Sequence, residues 1–220
     1  MFKDRSDAAR QLAQRLRAYK GQNPLILAIP RGAVPMGQIL ASQLQGQLDL
    51  VLVHKLCSPF HPEVAIGAID ETGRAWLSAH ASNLGGTATY VQAEQARQLK
   101  VLRARRQRYT AIQEAIPCQG RLVIVVDDGL ATGSTMMAAL STVRQQAPAK
   151  LVCALPVASR EALDNIRPLA DEVVCLSVPD DFQAVGQFYQ HFAQVQDEEV
   201  VALLQQTQRA PAQCASGAPD

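Results

Sequence analysis

The chain has 220 residues, of which 48% are hydrophobic and 19% charged, with a formal net charge of +1. This composition is typical of a folded globular protein and excludes a largely disordered chain. The balance of 21 basic against 20 acidic residues disfavours nucleic acid as a partner, because nucleic-acid binders carry a basic excess. We find no signal-peptide pattern and no apolar run near the roughly 18 residues of a membrane span, so a membrane is not expected as a partner either.

The cysteines and histidines indicate the chemical environment of the protein. The five cysteines are widely spaced and form no CxxC pair, at Cys57, Cys118, Cys153, Cys175 and Cys214. This spacing disfavours a disulfide framework and a zinc site, and it predicts a reducing, cytoplasmic location. The four histidines show no metal-ligand spacing. No side chain is therefore predicted as a direct metal ligand.

The first part of the chain alternates helical and extended patterns. Ser6–Tyr19 has the spacing of an amphipathic helix with Ser6 as its N-cap. Leu25–Ile29 predicts a buried strand, Val34–Leu44 a helix, and Leu48–Val53 a second strand. Because strands that alternate with helices usually form parallel sheets, we predict an α/β fold with a mostly parallel central sheet flanked by helices.

Residues 57–90 are expected to form a small hood with a hairpin and a flexible loop. Ala65–Ile69 and Ala75–Leu77 would pair across the turn between them. Ser78–Thr89 is rich in glycine and small polar residues, which is typical of a mobile loop. Val91–Ile116 then predicts one long helix.

The rest of the chain continues the alternation of strands and helices. The predicted elements are the strand Leu122–Val126, the helix Thr135–Gln145, the strand Leu151–Val157, the helix Arg160–Leu169, the strand Glu172–Val178, a helical stripe from Phe182 to Val195 and a helix that begins at Asp197. Residues 1–208 are therefore expected to form a single domain. Residues 209–220 are mainly small residues and proline, and we expect a disordered tail there.

One segment combines the features of an anion-binding loop with two carboxylates. The strand Leu122–Val126 is followed by Asp127 and Asp128, and then by Gly129, Leu130, Ala131, Thr132, Gly133, Ser134 and Thr135. Ligands of open α/β sheets bind at the C-terminal edge of the strands. Glycines let backbone N–H groups turn inward, and the hydroxyls and the N-terminus of the next helix add donors that suit a phosphate.

The two acids require a different ligand group. A carboxylate repels phosphate, but it accepts hydrogen bonds from the hydroxyls of a sugar and can bind Mg²⁺ directly or through water. Asp127 and Asp128 therefore favour a sugar phosphate as the ligand. An ordinary strand–turn–helix with solvated acids is the alternative. A Walker A loop is excluded because no lysine follows Gly133, and a dinucleotide loop because the segment lacks the GxGxxG pattern.

This segment resembles the phosphoribosyl diphosphate signature of the type I phosphoribosyltransferases, in which four apolar residues precede two acids and a run of small and hydroxyl residues. Gly129 departs from the signature, which usually has an aliphatic residue or serine there. The resemblance implies a Mg²⁺-dependent transfer of the 5-phosphoribosyl group from phosphoribosyl diphosphate to a small acceptor, expected to be a nitrogenous base, with release of pyrophosphate. Asp127 and Asp128 would hold the ribose, with Mg²⁺ bound through water, and Ala131 to Thr135 would hold the 5′-phosphate.

The same resemblance implies a set of pyrophosphate-binding residues. The Arg31-Gly32 pair follows the first strand and Lys55 follows the second, which are the places of such residues in that family. Gly32 would permit close approach of the backbone, and Arg31 and Lys55 would supply positive charge. The alternative for Arg31 is a surface arginine in a helix-initiating turn. The alternative for Lys55 is an ordinary lysine at the end of a strand. The segments around Glu63 and Asp180 extend the similarity to a group of predicted phosphoribosyltransferases without a firm acceptor.

Several further residues have both a functional and a structural interpretation. A basic cluster on the long helix could contact phosphate or a homo-oligomer partner, although a solvated face explains it better: Arg103, Arg105, Arg106 and Arg108. Phe182 could stack on an acceptor base, but core packing is favoured. Glu63 could be a general base or a structural acid. The alternative function is a non-catalytic sensor of phosphoribosyl diphosphate or a nucleotide, which Arg31 and Lys55 beside both acids disfavour.

Overall fold

A computed structural model of the protein describes residues 1–62, 64–110 and 114–209. The strands are β1 (Leu25–Ala28), β2 (Gln47–Leu50), β3 (Val53–Cys57), β4 (Ala65–Asp70), β5 (Ala75–Leu77), β6 (Leu122–Val126), β7 (Lys150–Val157) and β8 (Glu172–Ser177). The α-helices are α1 (Arg5–Arg15), α2 (Val34–Leu44), α3 (Ala88–Thr110), α4 (Ser134–Arg144), α5 (Arg160–Ile166) and α6 (Asp197–Arg209).

Five strands form a parallel sheet in the order β2-β1-β6-β7-β8. Helices cover both faces of its central strand: Ile124 packs in the core that contains α1 and α2, and Val125 in the core that contains α4 and α5. An apolar run without alternation is what such a doubly covered strand requires. The predicted α/β fold is confirmed. Because all five strands run in one direction, Ile29 and Asp127 leave β1 and β6 at the same edge of the sheet.

A second, antiparallel sheet of three strands has the order β3-β4-β5. The predicted hairpin between β4 and β5 is confirmed, with Ala68 opposite Trp76. The prediction of one strand over Leu48–Val53 is wrong, since β2 ends at Leu50 and β3 belongs to the other sheet. Val51 and Leu52 connect the two sheets and are buried in different parts of the core, so the apolar run continues where the strand does not.

The helices α2 and α4 agree with their predicted spans within one residue, whereas α1 differs at both ends. Asp4, not Ser6, is its N-cap, because the Asp4 carboxylate accepts a hydrogen bond from the backbone N–H of Asp7 at 2.8 Å. The helix ends at Arg15 and a 3-10 turn follows. Aspartate and serine are equally good caps, so the pattern alone could not choose between them.

The long helix is shorter at its C-terminal end than the predicted Val91–Ile116. Within the described residues α3 runs to Thr110, and residues 114–118 are not helical: the backbone N–H of Ile116 instead donates to Oδ2 of the buried Asp49 at 2.7 Å. The apolar spacing continued past the helix because Ile116 packs against the core from the following connection. None of the helices in the described ranges is both long and apolar enough to cross a membrane.

Residues 179–196, which we call the closing segment, were predicted to be helical from Phe182 to Val195, and this prediction is wrong. The segment contains only the 3-10 turn Val185–Phe188. Its backbone pairs instead with the start of the chain: Phe2 donates to the carbonyl of Phe188 at 2.8 Å and accepts from Gln190 at 2.9 Å. The helix predicted at Asp197 is present as α6. It includes Arg209, and residues 210–220 of the predicted tail lie outside the described residues.

Candidate active site

A cavity of about 440 Å³ lies at the C-terminal edge of β1 and β6. It brings together every residue that was predicted for the site: Arg31, Gly32, Lys55, Asp127, Asp128, Gly129, Leu130, Ala131, Thr132, Gly133, Ser134 and Thr135. The rest of the lining includes Ile29, Pro30 and Met136, Arg5, and four residues of the closing segment: Val185, Phe192, Gln194 and Val195.

The floor of the cavity is residues 127–135, which we call the binding loop. Backbone hydrogen bonds fix it to the end of β7: Leu130 donates to Val157 at 2.9 Å and accepts from Ser159 at 2.9 Å. The Ser159 hydroxyl also donates to the carbonyl of Ala131 at 2.8 Å. Gly133 has a φ of +82° and is the N-cap of α4, and it contributes no side-chain cap. The first N–H groups of α4 are therefore available to an anion in the cavity.

The acid pair lies between the end of β6 and this loop. The backbone N–H of Asp128 donates to Oδ1 of Asp127 at 2.8 Å. Burial raises the pKa of Asp127 well above its ordinary value, the neighbouring Asp128 carboxylate raises it further, and Lys55 and Arg5 oppose this shift. Burial also raises the pKa of Asp128, and the Arg5 guanidinium opposes it. Two carboxylates held this way favour a ligand that brings hydrogen-bond donors or positive charge.

The loop after β1 forms the opposite wall. The peptide bond between Pro30 and Arg31 is cis. A Cβ atom on Gly32 would overlap Oδ2 of Asp128 and lie 3.0 Å from its Cγ, so only glycine permits this approach to the acid pair. The Arg31 guanidinium lies 3.9 Å from a carboxylate oxygen of Asp197, and its side chain is 27% exposed. Arg31 and Lys55 thus bring two positive charges to the cavity edge.

The structure explains why Gly129 replaces the aliphatic residue or serine that the family signature usually has. A Cβ atom at this position would lie 2.8 Å from Cγ2 of Val185 in the closing segment. Val185 occupies the space that an aliphatic side chain at position 129 would need. The glycine therefore lets the closing segment pack directly on the binding loop.

Sequence reasoning missed Arg5 and the closing-segment residues of the wall. Arg5 forms an ion pair with Asp128, with its Nη2 atom 2.8 Å from Oδ2, although the two residues are 123 positions apart. Phe192 is 38% exposed and faces the Arg5 guanidinium. Neither residue lies in a local motif, and the apolar stripe that includes Phe192 was assigned to a helix. No signal short of the tertiary contact identifies them.

Of the remaining predicted segments and residues, Ser78–Thr89 and Phe182 do not line the cavity. No residue of Ser78–Thr89 is among the described residues that line it, so the segment facing the binding loop is residues 179–196. Phe182 stacks on Phe188 with ring centres 5.4 Å apart and packs against the core, as favoured. Glu63 lies outside the described residues.

The basic cluster on α3 does not form a free solvated face throughout. Arg106 is largely buried and forms hydrogen bonds with Glu71 at 2.6 and 2.7 Å. Arg108 pairs with Glu198 at the start of α6 at 2.9 Å. These two arginines therefore tie α3 to neighbouring elements, while Arg103 is exposed.

Comparison with known protein families assigns the chain to one family. The phosphoribosyl transferase domain family matches residues 3–192, which is most of the chain. The chain belongs to this domain family, and the predicted family is confirmed.

Individual relatives agree with this assignment. A curated Mycobacterium tuberculosis protein, named "Putative phosphoribosyl transferase", is 42% identical over 212 residues, covering 95% of this chain and 47% of that protein. The chain thus spans about half the length of the curated relatives it matches. The crystal structure of TT1426 from Thermus thermophilus is 44% identical, with a TM-score of 0.80 over 93% of this chain and 98% of that one.

A more distant structure shares the fold alone. A Neisseria gonorrhoeae protein whose crystal structure contains bound ppGpp is 14% identical, with a TM-score of 0.53 over 94% of this chain and 96% of that one.

Proposed function

We propose that the protein is a cytoplasmic enzyme that transfers a 5-phosphoribosyl group from phosphoribosyl diphosphate to a small nitrogenous-base acceptor and releases pyrophosphate. The observation that carries this proposal is the convergence, around one cavity, of an anion-binding helix N-terminus, an acid pair and two cationic side chains. Each group matches one part of this donor substrate.

The binding loop and the acid pair would hold the sugar phosphate. The backbone N–H groups and hydroxyls from Ala131 to Thr135 would receive the 5′-phosphate, since the loop offers donors without an acidic side chain. Asp127 and Asp128 would accept hydrogen bonds from the ribose hydroxyls. Because β6 and the contacts to β7 fix the loop, these groups need not rearrange when the ligand arrives.

The cationic side chains would stabilise the leaving group. In the reaction the bond between C1 of the ribose and the pyrophosphate oxygen breaks, and a bond from C1 to the acceptor nitrogen forms. Negative charge grows on the pyrophosphate, where Arg31 and Lys55 would stabilise it, while Asp127 and Asp128 would stabilise the positive charge on the ribose. The backbone around Gly32 can approach the pyrophosphate closely because it has no side chain.

The acid pair also fits a magnesium ion that arrives with the substrate. Within the described residues, no group of three or more His, Cys, Asp or Glu side chains could hold a metal. Asp127 and Asp128 would therefore contact Mg²⁺ through water, and the ion would take its other ligands from the substrate and solvent. When bound, Mg²⁺ would neutralise part of the pyrophosphate charge.

Calorimetric titration with phosphoribosyl diphosphate, with and without Mg²⁺, tests the proposal. We expect micromolar binding to the wild-type protein that is lost in the double variant Asp127→Asn/Asp128→Asn. The matched control is Asp180→Asn/Asp181→Asn, which removes two exposed carboxylates from the closing segment without touching the cavity. This control should bind like the wild type.

A screen of nitrogenous bases for pyrophosphate release then separates an enzyme from a sensor. Release that depends on both acids supports the transferase. Binding without turnover on any acceptor would favour the sensor, and ppGpp should then be tested as a ligand. No binding of phosphoribosyl diphosphate by the wild type under either condition would reject the proposed donor substrate.

A further inference from the structure

Arg5, the first residue of α1, connects three parts of the cavity wall. Its Nε and Nη2 atoms lie 2.9 and 2.8 Å from Oδ2 of Asp128. Its Nη1 atom donates to the carbonyl oxygen of Ala193 at 2.6 Å. Its guanidinium carbon lies 3.9 Å from the centre of the Phe192 ring. A single side chain therefore joins the binding loop to the closing segment.

These contacts depend on the shape and charge of a guanidinium group. The side chains of Arg5 and Asp128 are only 12% and 16% exposed, so water cannot replace either partner easily. Arginine offers a rigid fork of donors together with a flat face that packs on an aromatic ring, whereas lysine offers a single ammonium group. Lysine at position 5 could pair with Asp128 but could not keep all three contacts.

The Arg5 contacts involve one oxygen of the Asp128 carboxylate. Both Nε and Nη2 of Arg5 contact Oδ2, so Arg5 does not occupy Oδ1. Gly32 keeps the space beside Oδ2 free of a side chain, which permits the ion pair with Arg5. A ligand therefore need not displace Arg5 to reach this acid.

A second contact links the same acid to the closing segment. The hydroxyl of the buried Tyr189 donates to the backbone carbonyl of Asp128 at 2.7 Å. The rings of Tyr189 and Phe192 are in contact, with their centres 4.9 Å apart. Asp128 is thus contacted by Arg5 from α1 and by Tyr189 from the closing segment, and Arg5 also contacts that segment.

We propose that Arg5 is a positioning residue that holds the closing segment over the cavity and, through the same contacts, orients Asp128 toward the ligand. Closure of the cavity and orientation of the acid are then a single event. If residues 185–195 move away, Arg5 loses Ala193 and Phe192, and the orientation of Asp128 is no longer fixed. The effect on ligand affinity rests on the proposed function, whereas the effect on closure does not.

Hydrogen–deuterium exchange on the unliganded full chain tests the closure. In Arg5→Gln we expect amide exchange in residues 185–195 to be about tenfold faster than in the wild type, with exchange in β6 unchanged. The control Arg10→Gln removes the same charge from an exposed position of α1 and should leave both regions unchanged. Wild-type exchange in residues 185–195 of Arg5→Gln would overturn the proposal.

The variant Arg5→Lys keeps the test decisive if Arg5→Gln does not fold. Lysine retains the charge for Asp128 but cannot also reach Ala193 and Phe192. We expect residues 185–195 to exchange faster than in the wild type. An exchange pattern identical to that of the wild type would again overturn the proposal.

Binding of phosphoribosyl diphosphate then tests whether Arg5 acts through Asp128. We expect Arg5→Gln to weaken binding about tenfold in the wild-type background and less than about twofold when Asp128 is already Asn, because the residue through which Arg5 acts is then absent. Equal losses in both backgrounds would show that Arg5 does not act through Asp128. If the wild type does not bind the compound, the proposed function fails, and the exchange experiment still decides the closure.

Discussion

The binding loop and the closing segment border the same cavity, but they are held in place in different ways. The binding loop continues a buried strand and is fixed by backbone hydrogen bonds to the neighbouring strand, so its conformation follows from the sheet. The closing segment has no regular structure beyond one 3-10 turn, and a few contacts hold it, chiefly those of Tyr189, Phe192 and the paired residue Phe2.

The contrast between the binding loop and the closing segment indicates which part of the protein determines ligand binding and which determines access to the cavity. The groups that we propose to hold the sugar phosphate lie on the binding loop, where little ordering of the chain would be needed when a ligand binds. The side chains of the closing segment can be removed without damage to the sheet. Changes to the binding loop or to the strand before it should therefore affect stability and ligand affinity strongly. Changes to the closing segment should have smaller effects, mainly on access of the ligand to the cavity.

The largest expected difference is in stability. Ile124→Ala removes a fully buried side chain from the central strand and should lower the free energy of unfolding by about 3–4 kcal/mol. Val185→Ala in the closing segment removes a half-buried side chain and should cost about 1 kcal/mol. Denaturant unfolding measures both. Equal losses would contradict the idea that the strand before the binding loop is anchored more firmly in the core than the closing segment.

A second comparison uses the two glycines that face the acid pair and the closing segment. Gly32→Ala should reduce affinity for phosphoribosyl diphosphate at least about 100-fold, because its Cβ would displace the Asp128 carboxylate. For Gly129→Ala the three atoms nearest to the added Cβ all belong to Val185, which can shift with its segment, so we expect a loss of about tenfold or less. Calorimetry on both variants measures the difference. A larger loss of affinity in Gly129→Ala than in Gly32→Ala would contradict the expected order.

The acid pair should reduce stability at neutral pH. Burial and the Asp128 carboxylate raise the folded-state pKa of Asp127, so the contribution of this group to the stability of the unliganded protein falls as the pH rises above about 4, where it ionises in the unfolded chain. Asp127→Asn should therefore stabilise the protein at pH 7 by about 1 kcal/mol, or roughly 2–4 °C in Tm, and the gain should shrink toward pH 3.

A carboxylate with the opposite shift provides the control. Hydrogen bonds from Arg144 and from the backbone of Leu151 lower the pKa of Asp171. Asp171→Asn should therefore destabilise the protein at pH 7, with a smaller loss as the pH falls to 3. Thermal unfolding across this range measures both variants, and a destabilised Asp127→Asn at pH 7 would contradict the assigned cost of the acid pair.

The smallest expected effect concerns one hydroxyl of the closing segment. Tyr189→Phe removes the donor to the backbone carbonyl of Asp128 and should lower stability by about 1 kcal/mol or less. It should also make exchange in residues 185–195 modestly faster, while Arg5 still holds the segment. An effect as large as that of Arg5→Gln would assign the closure to Tyr189 instead.

The same contrast explains how much the sequence predicted. The fold and the binding loop follow from local patterns, because a strand, its acids and the next helix are contiguous in the chain. Arg31 and Lys55 were chosen from the family resemblance, and Lys55 lies within β3 of the smaller sheet instead of following the second strand of the parallel sheet. The break after Leu50 was hidden because Val51 and Leu52 remain buried while the chain changes sheets. Burial explains an apolar run equally well with or without strand pairing.

The closing segment could not be predicted for a related reason. Its apolar residues suit a helix by spacing, but its backbone groups find partners in Phe2 and Lys3 at the other end of the chain. The role of Arg5 likewise depends on Asp128, which is 123 positions away. Local pattern carries no information about such distant partners.

The pairing of residues 2 and 3 with residues 188–191 has a consequence for the order of folding. Phe2 is 7% exposed in the folded protein, and its partners Phe188 and Tyr189 lie far from it along the chain. Because contacts between residues so distant in sequence form slowly, we expect the closing segment to dock after the parallel sheet has formed. A change that weakens this pairing should therefore leave the sheet folded and the cavity uncovered.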